Sequence, residues 1–305
     1  MVAQLFGYPA MSDFMHDNGK QHRQDGDGNN LDSRKVLEHD NWTIKMRPTS
    51  ISEFSQANNL ISAADKLIAH RGYPRHYPEN TLVGIIAALT VGARFIEVDV
   101  QLTADGVAVL FHDRDLQRLC GRVGALHEYN WQELRTLSVR GPSPSHAGEP
   151  LSRLTELADL LRIHPHITAF IELKRISLAH FDEREVLAEV FADLHAVLRQ
   201  CVIISYSLSV LEKIRERGCQ AIAAVVDDWH ALSQPRVQAL QAEYLFCDIQ
   251  SLPGDGCLQR PDSRLAVYEC TDAEQARAVL ARGVDLVETF AIGEMLTSLQ
   301  ENVRA

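Results

Sequence analysis

The sequence predicts an α/β protein built as a (β/α)8 barrel, the TIM-barrel architecture. Two observations predict it. Eight short apolar runs alternate with helix-like stretches from residue 67 to the C-terminus. Three of those helix-like stretches end on a glycine that leads into an apolar run, at Gly92, Gly218 and Gly283. An open doubly wound sheet is the competing arrangement of the same elements.

The strand-like runs are 67–70, 95–100, 168–174, 202–207, 221–227, 244–249, 265–268 and 286–289. Leu82, Ile85, Ile86 and Leu89 follow the helical spacing i, i+3, i+4, i+7, with Asn80 or Thr81 as N-cap and Gly92 as stop. Ser207 is placed to cap a helix over 210–217. Asp272 with Gln275 resembles a capping box for the helix that ends at Gly283. Asp105-Gly106, between two apolar runs, reads as a two-residue hairpin turn, so residues 107–111 fold back on strand two. The stretch from 113 to 162 is long for a crossover. It holds one helix pattern, 154–161, and a Gly, Pro and Ser-rich loop, 141–148, and reads as a small insertion over the barrel mouth.

Residues 1–63 differ in kind. The segment 18–30 is nearly all Gly, Asp, Asn, Gln and His and has little to bury, so this N-terminal extension is expected to be disordered in part. Either a start assigned too far upstream or a docking tail accounts for it. The barrel domain is expected to run over 64–305.

A 305-residue chain with 46% hydrophobic residues has ample core for such a barrel. A net charge of -11 opposes nucleic acid and anionic membrane surfaces, so an anionic substrate requires local positive charge. Six cysteines without a CxxC pair suit buried free thiols in a reducing compartment. The first residues lack a basic, apolar leader pattern, and no run is long enough to span a bilayer. The expected setting is cytoplasmic, with no stable membrane insertion.

Chemistry concentrates at the C-terminal ends of the first three strands, the face on which barrels of this kind build their sites. His70 and Arg71 end strand one, Glu97 and Asp99 strand two, Glu172 and Lys174 strand three. Alternation puts Glu97 with Asp99, and Glu172 with Lys174, on one face. With Asp105-Gly106 at the centre of the turn, hairpin arithmetic sets His112 opposite Asp99. Three carboxylates without a thiolate favour a hard cation, Mg²⁺ or Ca²⁺. Arg71 and Lys174 offer positive charge to a phosphate, and two histidines divide the roles of base and acid near neutral pH. Singly, each of these has an ordinary reading as a strand-end polar group, a surface pair or a helix cap. Their convergence at one rim is what points to displacement at a phosphodiester.

The ordered series His70-Arg71-Gly72, Pro78-Glu79-Asn80-Thr81, Gly92-Ala93 before Ile96-Glu97-Val98-Asp99-Val100, Thr103-Ala104-Asp105-Gly106, His112-Asp113 and Ile171-Glu172-Leu173-Lys174 resembles the glycerophosphodiester phosphodiesterase family. The resemblance implies a TIM barrel, a divalent metal, and hydrolysis of a small-molecule glycerophosphodiester to an alcohol and glycerol 3-phosphate. It implies Glu97, Asp99 and Glu172 as metal ligands, His70 and His112 as the acid/base pair, and Arg71 and Lys174 as phosphate holders. The chain departs from the family pattern late. Tyr268-Glu269-Cys270-Thr271 stands where a Trp-Thr-Val-Asn-like stretch is usual. Thr289-Phe290, with an added Glu288, stands where Thr-Asp is usual. These departures bear on the substrate pocket and on the alcohol accepted. A lysophospholipase D-like reading calls for an apolar insertion, whereas 140–148 is polar. A catalytically silent binding barrel calls for a lost histidine or carboxylate, and none is lost.

The composition of the extension generates a first expectation. A chain beginning at Ala63 folds and keeps its activity, measured by circular dichroism and turnover beside the full chain. An insoluble or inactive product places the extension in the fold or the site.

Overall fold

The computed structural model describes residues 63–142, 148–218 and 220–301, all within one compact unit, Pro48–Ala305. The expected extension 1–63 lies outside the described residues apart from Ala63, as do residues 143–147 of the expected polar loop. In chain order the first elements are β1 (Leu67–His70), α1 (Leu82–Thr90), β2 (Phe95–Leu102) and β3 (Ala108–Leu110). The insertion carries α2 (Gln117–Cys120), α3 (Trp131–Leu134), β4 (Ser138–Val139), β5 (Glu149–Pro150) and α4 (Leu154–Arg162). Then follow β6 (Thr168–Leu173), α5 (Arg175–His180), α6 (Glu183–Leu194), β7 (Cys201–Ser205), α7 (Leu208–Glu216), β8 (Ile222–Val226) and α8 (Pro235–Ala239). The chain closes with β9 (Tyr244–Asp248), β10 (Arg264–Tyr268), α9 (Ala273–Ala281), β11 (Leu286–Thr289) and α10 (Ile292–Glu301).

The order β1-β11-β10-β9-β8-β7-β6-β2 is parallel throughout, and β1 also pairs with β2, so the eight strands close into a barrel. Closure excludes the open doubly wound sheet. Gly92, Gly218 and Gly283, the predicted stops, all have φ between 103° and 105°, a left-handed turn that glycine takes without penalty. Thr81, rather than Asn80, caps α1: its hydroxyl accepts from Gly84 N–H at 3.3 Å. Asp272 caps α9 through the N–H groups of Glu274 and Gln275. Ser207 occupies the N-cap position of α7, but its hydroxyl bonds to Ser209 rather than to the helix backbone.

The barrel interior is filled by alternate residues of each strand. Ile68, Phe170, Val202, Ile204, Ala223, Val225, Phe246, Ala266 and Leu286 make one buried cluster. Phe170 sits at its centre, edge-on to Tyr244 at 5.0 Å and Phe246 at 5.3 Å. Burying a side chain of that size is worth about 2–3 kcal/mol. Below the mouth the interior is therefore solid. The next inward positions along the strands, two residues on, project above this plug.

The hairpin differs from its expected register. Val100 pairs with Leu110, Gln101 with Val109 and Leu102 with Ala108. Phe111 N–H donates to the carbonyl of Asp99 at 2.9 Å, so Phe111, and not His112, lies opposite Asp99. The turn has a three-residue loop, Ala104-Asp105-Gly106, closed by Thr103 N–H to the carbonyl of Val107 at 3.0 Å. A two-residue Asp-Gly turn needs positive φ at both residues; here only Gly106 has it, at 81°. Thr103 Oγ1 bonds to Asp105 Oδ1 at 2.6 Å and accepts from Val107 N–H at 3.0 Å, which favours the longer loop.

The insertion is real and has its own small core: Val109, Phe111, Leu116, Leu119, Leu126, Leu134, Val139 and Leu151. It starts where β3 leaves β2, so residues 112–118 turn across the rim of the barrel.

Candidate active site

Parallel register sets the site. His70 pairs with Glu97, and Asp99 with Glu172. Each stands two residues above an interior residue of its strand, or above another member of the set: Ile68 then His70, Phe95 then Glu97 then Asp99, Phe170 then Glu172. The same step on β11 leads from Leu286 to Glu288. His70, Glu172 and Glu288, with Arg71, His112 and Lys174, border a cavity of about 600 Å³ at the C-terminal mouth. Asp99, at 0% exposed, does not line the cavity and meets it through Arg71 and Lys174.

Arg71 and Gly72 make a tight turn at φ 56° and 88°, and that turn aims Arg71 N–H at Glu97 Oε2, 3.1 Å away. A side chain at Gly72 would meet the backbone of Gly84 at 2.9 Å, so the turn lies directly on α1. The Arg71 guanidinium reaches Asp99 Oδ2 at 3.2 Å and Glu79 Oε1 at 3.1 Å. Lys174 Nζ lies 2.9 Å from Glu172 Oε1 and 3.1 Å from Asp99 Oδ1. Burial alone would raise the Asp99 carboxyl, but Lys174 and Arg71 more than offset it and hold it well below the usual range. Glu97 goes the other way. Burial pushes it far up, and Asp99, Glu288 and Glu172 add repulsion. Burial and Asp99 likewise raise Glu172 against the pull of Lys174.

Oxygens of Glu97, Asp99 and Glu172 lie within 4.8 Å of one another. Glu97 Oε1 is buried and has no hydrogen-bond partner. An unpartnered buried oxygen in a set of mutually repelling carboxylates fits a hard divalent cation, whose charge would relieve both penalties. His70, Glu97 and Glu288 form a second such set. A third, Glu79, His112 and Asp113, is already satisfied by Arg118, which bonds to both carboxylates at 2.6–2.8 Å.

Each histidine has a carboxylate beside it, hydrogen-bonded only at His112. His70 Nδ1 lies 3.2 Å from Glu269 Oε2, and its ring stacks on Phe290 at 4.6 Å. Its pKa is lowered, chiefly by burial. His112 Nδ1 lies 2.9 Å from Asp113 Oδ1, which favours the Nδ1–H tautomer and leaves Nε2 for other partners.

The seven sequence-predicted residues thus come together: five line the cavity, and buried Glu97 and Asp99 join them through Arg71, Lys174 and Glu172. Sequence reasoning missed those that hold it in shape. Asn80, read as a cap, donates from Nδ2 to Asp99 Oδ2 at 2.8 Å and accepts at Oδ1 from Asp99 N–H at 3.0 Å. Gln101, the next inward-stepping residue after Asp99, donates from Nε2 to the carbonyls of Phe111, His112 and Asp113 at 2.9, 3.1 and 2.7 Å. These bonds bring His112 to the mouth although the hairpin register does not. Arg118 ties Glu79 to Asp113. Alternation could have found Gln101 and Glu288; nothing local marked Arg118.

Residues 70–247 match the model of the Glycerophosphoryl diester phosphodiesterase family. The chain is 24% identical to bovine glycerophosphodiester phosphodiesterase 1 over 206 residues, 65% of this chain and 61% of that protein. It thus spans about three-fifths of the length of that mammalian relative. It is 28% identical over 231 residues to a glycerophosphodiester phosphodiesterase of Caldanaerobacter subterraneus, 73% of this chain and 93% of that one. In fold it resembles an Oleispira antarctica phosphodiesterase solved with the product sn-glycerol-3-phosphate (TM-score 0.69, 20% identity, 79% of this chain and 99% of that one). It also resembles a glycerophosphodiester phosphodiesterase from Agrobacterium tumefaciens (TM-score 0.61, 23% identity, 76% and 99%).

Gln101→Leu keeps much of the side-chain volume and removes the amide that collects three carbonyls. We expect a loss of about 1–3 kcal/mol in denaturant stability, with faster amide hydrogen exchange concentrated in residues 111–118. Unchanged exchange there contradicts the anchoring role.

Proposed function

The chain belongs to the glycerophosphoryl diester phosphodiesterase family, and we propose that it hydrolyses a small glycerophosphodiester to an alcohol and glycerol 3-phosphate. The observation that carries this reading is the pair of histidines, His70 beside Glu269 and His112 on Asp113, bordering one cavity with Arg71, Lys174 and Glu172.

Glu97, Asp99 and Glu172 would hold one divalent cation, Mg²⁺ or Ca²⁺. Bound there, the ion supplies charge stabilisation at the phosphoryl oxygens. Lys174, and Arg71 through the donors it has beyond its ion pairs, orient the diester phosphate. His70 Nε2 takes the proton of the attacking water as the new P–O bond forms. His112 Nε2 gives a proton to the departing alkoxide as the old P–O bond breaks. Glu269 and Asp113 each stabilise the imidazolium of their partner histidine. Low exposure of His70 keeps it neutral and able to accept a proton near neutral pH.

The free thiols Cys120, Cys201, Cys247, Cys257 and Cys270 support a reducing, cytoplasmic setting. No helix among the described residues is long and apolar enough to cross a membrane.

His112→Ala should lower kcat by about 10²–10⁴-fold with an ordinary alcohol as leaving group. The loss should shrink with a nitrophenyl ester, whose phenolate departs without a proton. Equal losses with both substrates remove the general-acid role of His112.

A further inference from the structure

We propose that His70, Glu97 and Glu288 form a second cation site, selective for a transition-metal ion, and that filling it silences the enzyme. The silencing rests on the role of His70 in hydrolysis; the site itself does not.

One donor atom from each of the three residues lies within 4.8 Å of the others. The residues are 8%, 1% and 3% exposed. Glu97 Oε1 and Glu288 Oε1 are buried, and neither has a hydrogen-bond partner. Two buried, unpartnered carboxylate oxygens in one cluster are a costly arrangement unless something positive meets them. No side-chain ion pair to Glu288 occurs among the described residues, and Arg71 and Lys174 are turned to Asp99, Glu79 and Glu172. Glu288 stands on the inward face of β11, two residues above Leu286.

His70 is set as a ligand would be. Glu269 stands behind Nδ1 at 3.2 Å, Phe290 fixes the ring plane at 4.6 Å, and Nε2 lies 3.7 Å from Glu97 Oε2. The donor chemistry separates the two sites. Three carboxylates suit Mg²⁺ or Ca²⁺, whereas an imidazole with two carboxylates suits Mn²⁺, Co²⁺ or Zn²⁺. Glu97 belongs to both sets. An ion on His70 Nε2 occupies the lone pair that takes the proton from water.

The test is equilibrium dialysis of the full chain against Co²⁺ in excess Mg²⁺, with Glu288→Gln beside it. The wild type should retain one more Co²⁺ per chain than the variant, or bind that ion at least tenfold more tightly. Other Co²⁺ ions on the chain appear equally in both. Anomalous scattering at the cobalt edge from wild-type crystals, which does not depend on the variant folding, should place a peak among His70, Glu97 and Glu288. Equal binding by the two proteins, or no peak there, overturns the site. With Mg²⁺ present, Co²⁺ should lower turnover with the midpoint at which it binds; a filled site with unchanged turnover overturns the silencing. A chain inactive with Mg²⁺ alone overturns the hydrolase reading, and the Co²⁺ count and the anomalous peak still decide the site.

Discussion

Glu97 is the carboxylate on which the site depends. Barrel closure pairs β1 with β2 and β2 with β6, which locks Glu97 beside His70 and Asp99 beside Glu172. Their Cα positions follow from backbone register. Glu97 is 1% exposed, has one unpartnered oxygen, and feels Asp99, Glu288 and Glu172. The protein thus holds a concentration of negative charge in a dry place, a costly arrangement unless positive charge arrives. The cation binding we propose answers that single constraint. The net charge of -11 repels anions at long range, so attraction of the substrate has to be local.

The surrounding residues meet that constraint by fixing geometry. Asn80 grips Asp99 at both backbone and carboxylate. Gln101 gathers the carbonyls of residues 111–113. Arg118 joins Glu79, already paired with Arg71, to Asp113, which backs His112. A continuous run of ion pairs therefore links the start of strand-end chemistry at Arg71 to the histidine on the opposite side of the mouth. Preorganisation of this kind is what lets acid and base act without rearrangement during the reaction.

Much of this was legible in the sequence, for identifiable reasons. Barrel strands buried on both faces read as short apolar runs, and the glycine stops mark where each helix must turn back. Side-chain alternation needs only the strand assignment, so Glu97, Asp99 and Glu172 were placed by arithmetic. The hairpin failed because turn length depends on the φ values of two residues and on Thr103, whose hydroxyl redirects the loop. His112 reached the mouth by a different route, through Gln101. Arg118 was illegible because its partners are 39 and 5 residues away and meet only once the insertion folds over the rim. Glu288 was visible as a departure, but its inward direction follows from Leu286 only after β11 is known to close the barrel.

The central claim is that the carboxylate cluster works through a bound cation to cleave a phosphodiester. It is tested most directly by ³¹P NMR of the full chain with a glycerophosphodiester, first with Mg²⁺ or Ca²⁺ and then after EDTA. The account predicts that the diester resonance is replaced by that of glycerol 3-phosphate, that the chelator stops the conversion, and that either ion restores it. Full conversion by metal-free protein, or none with either ion, contradicts it.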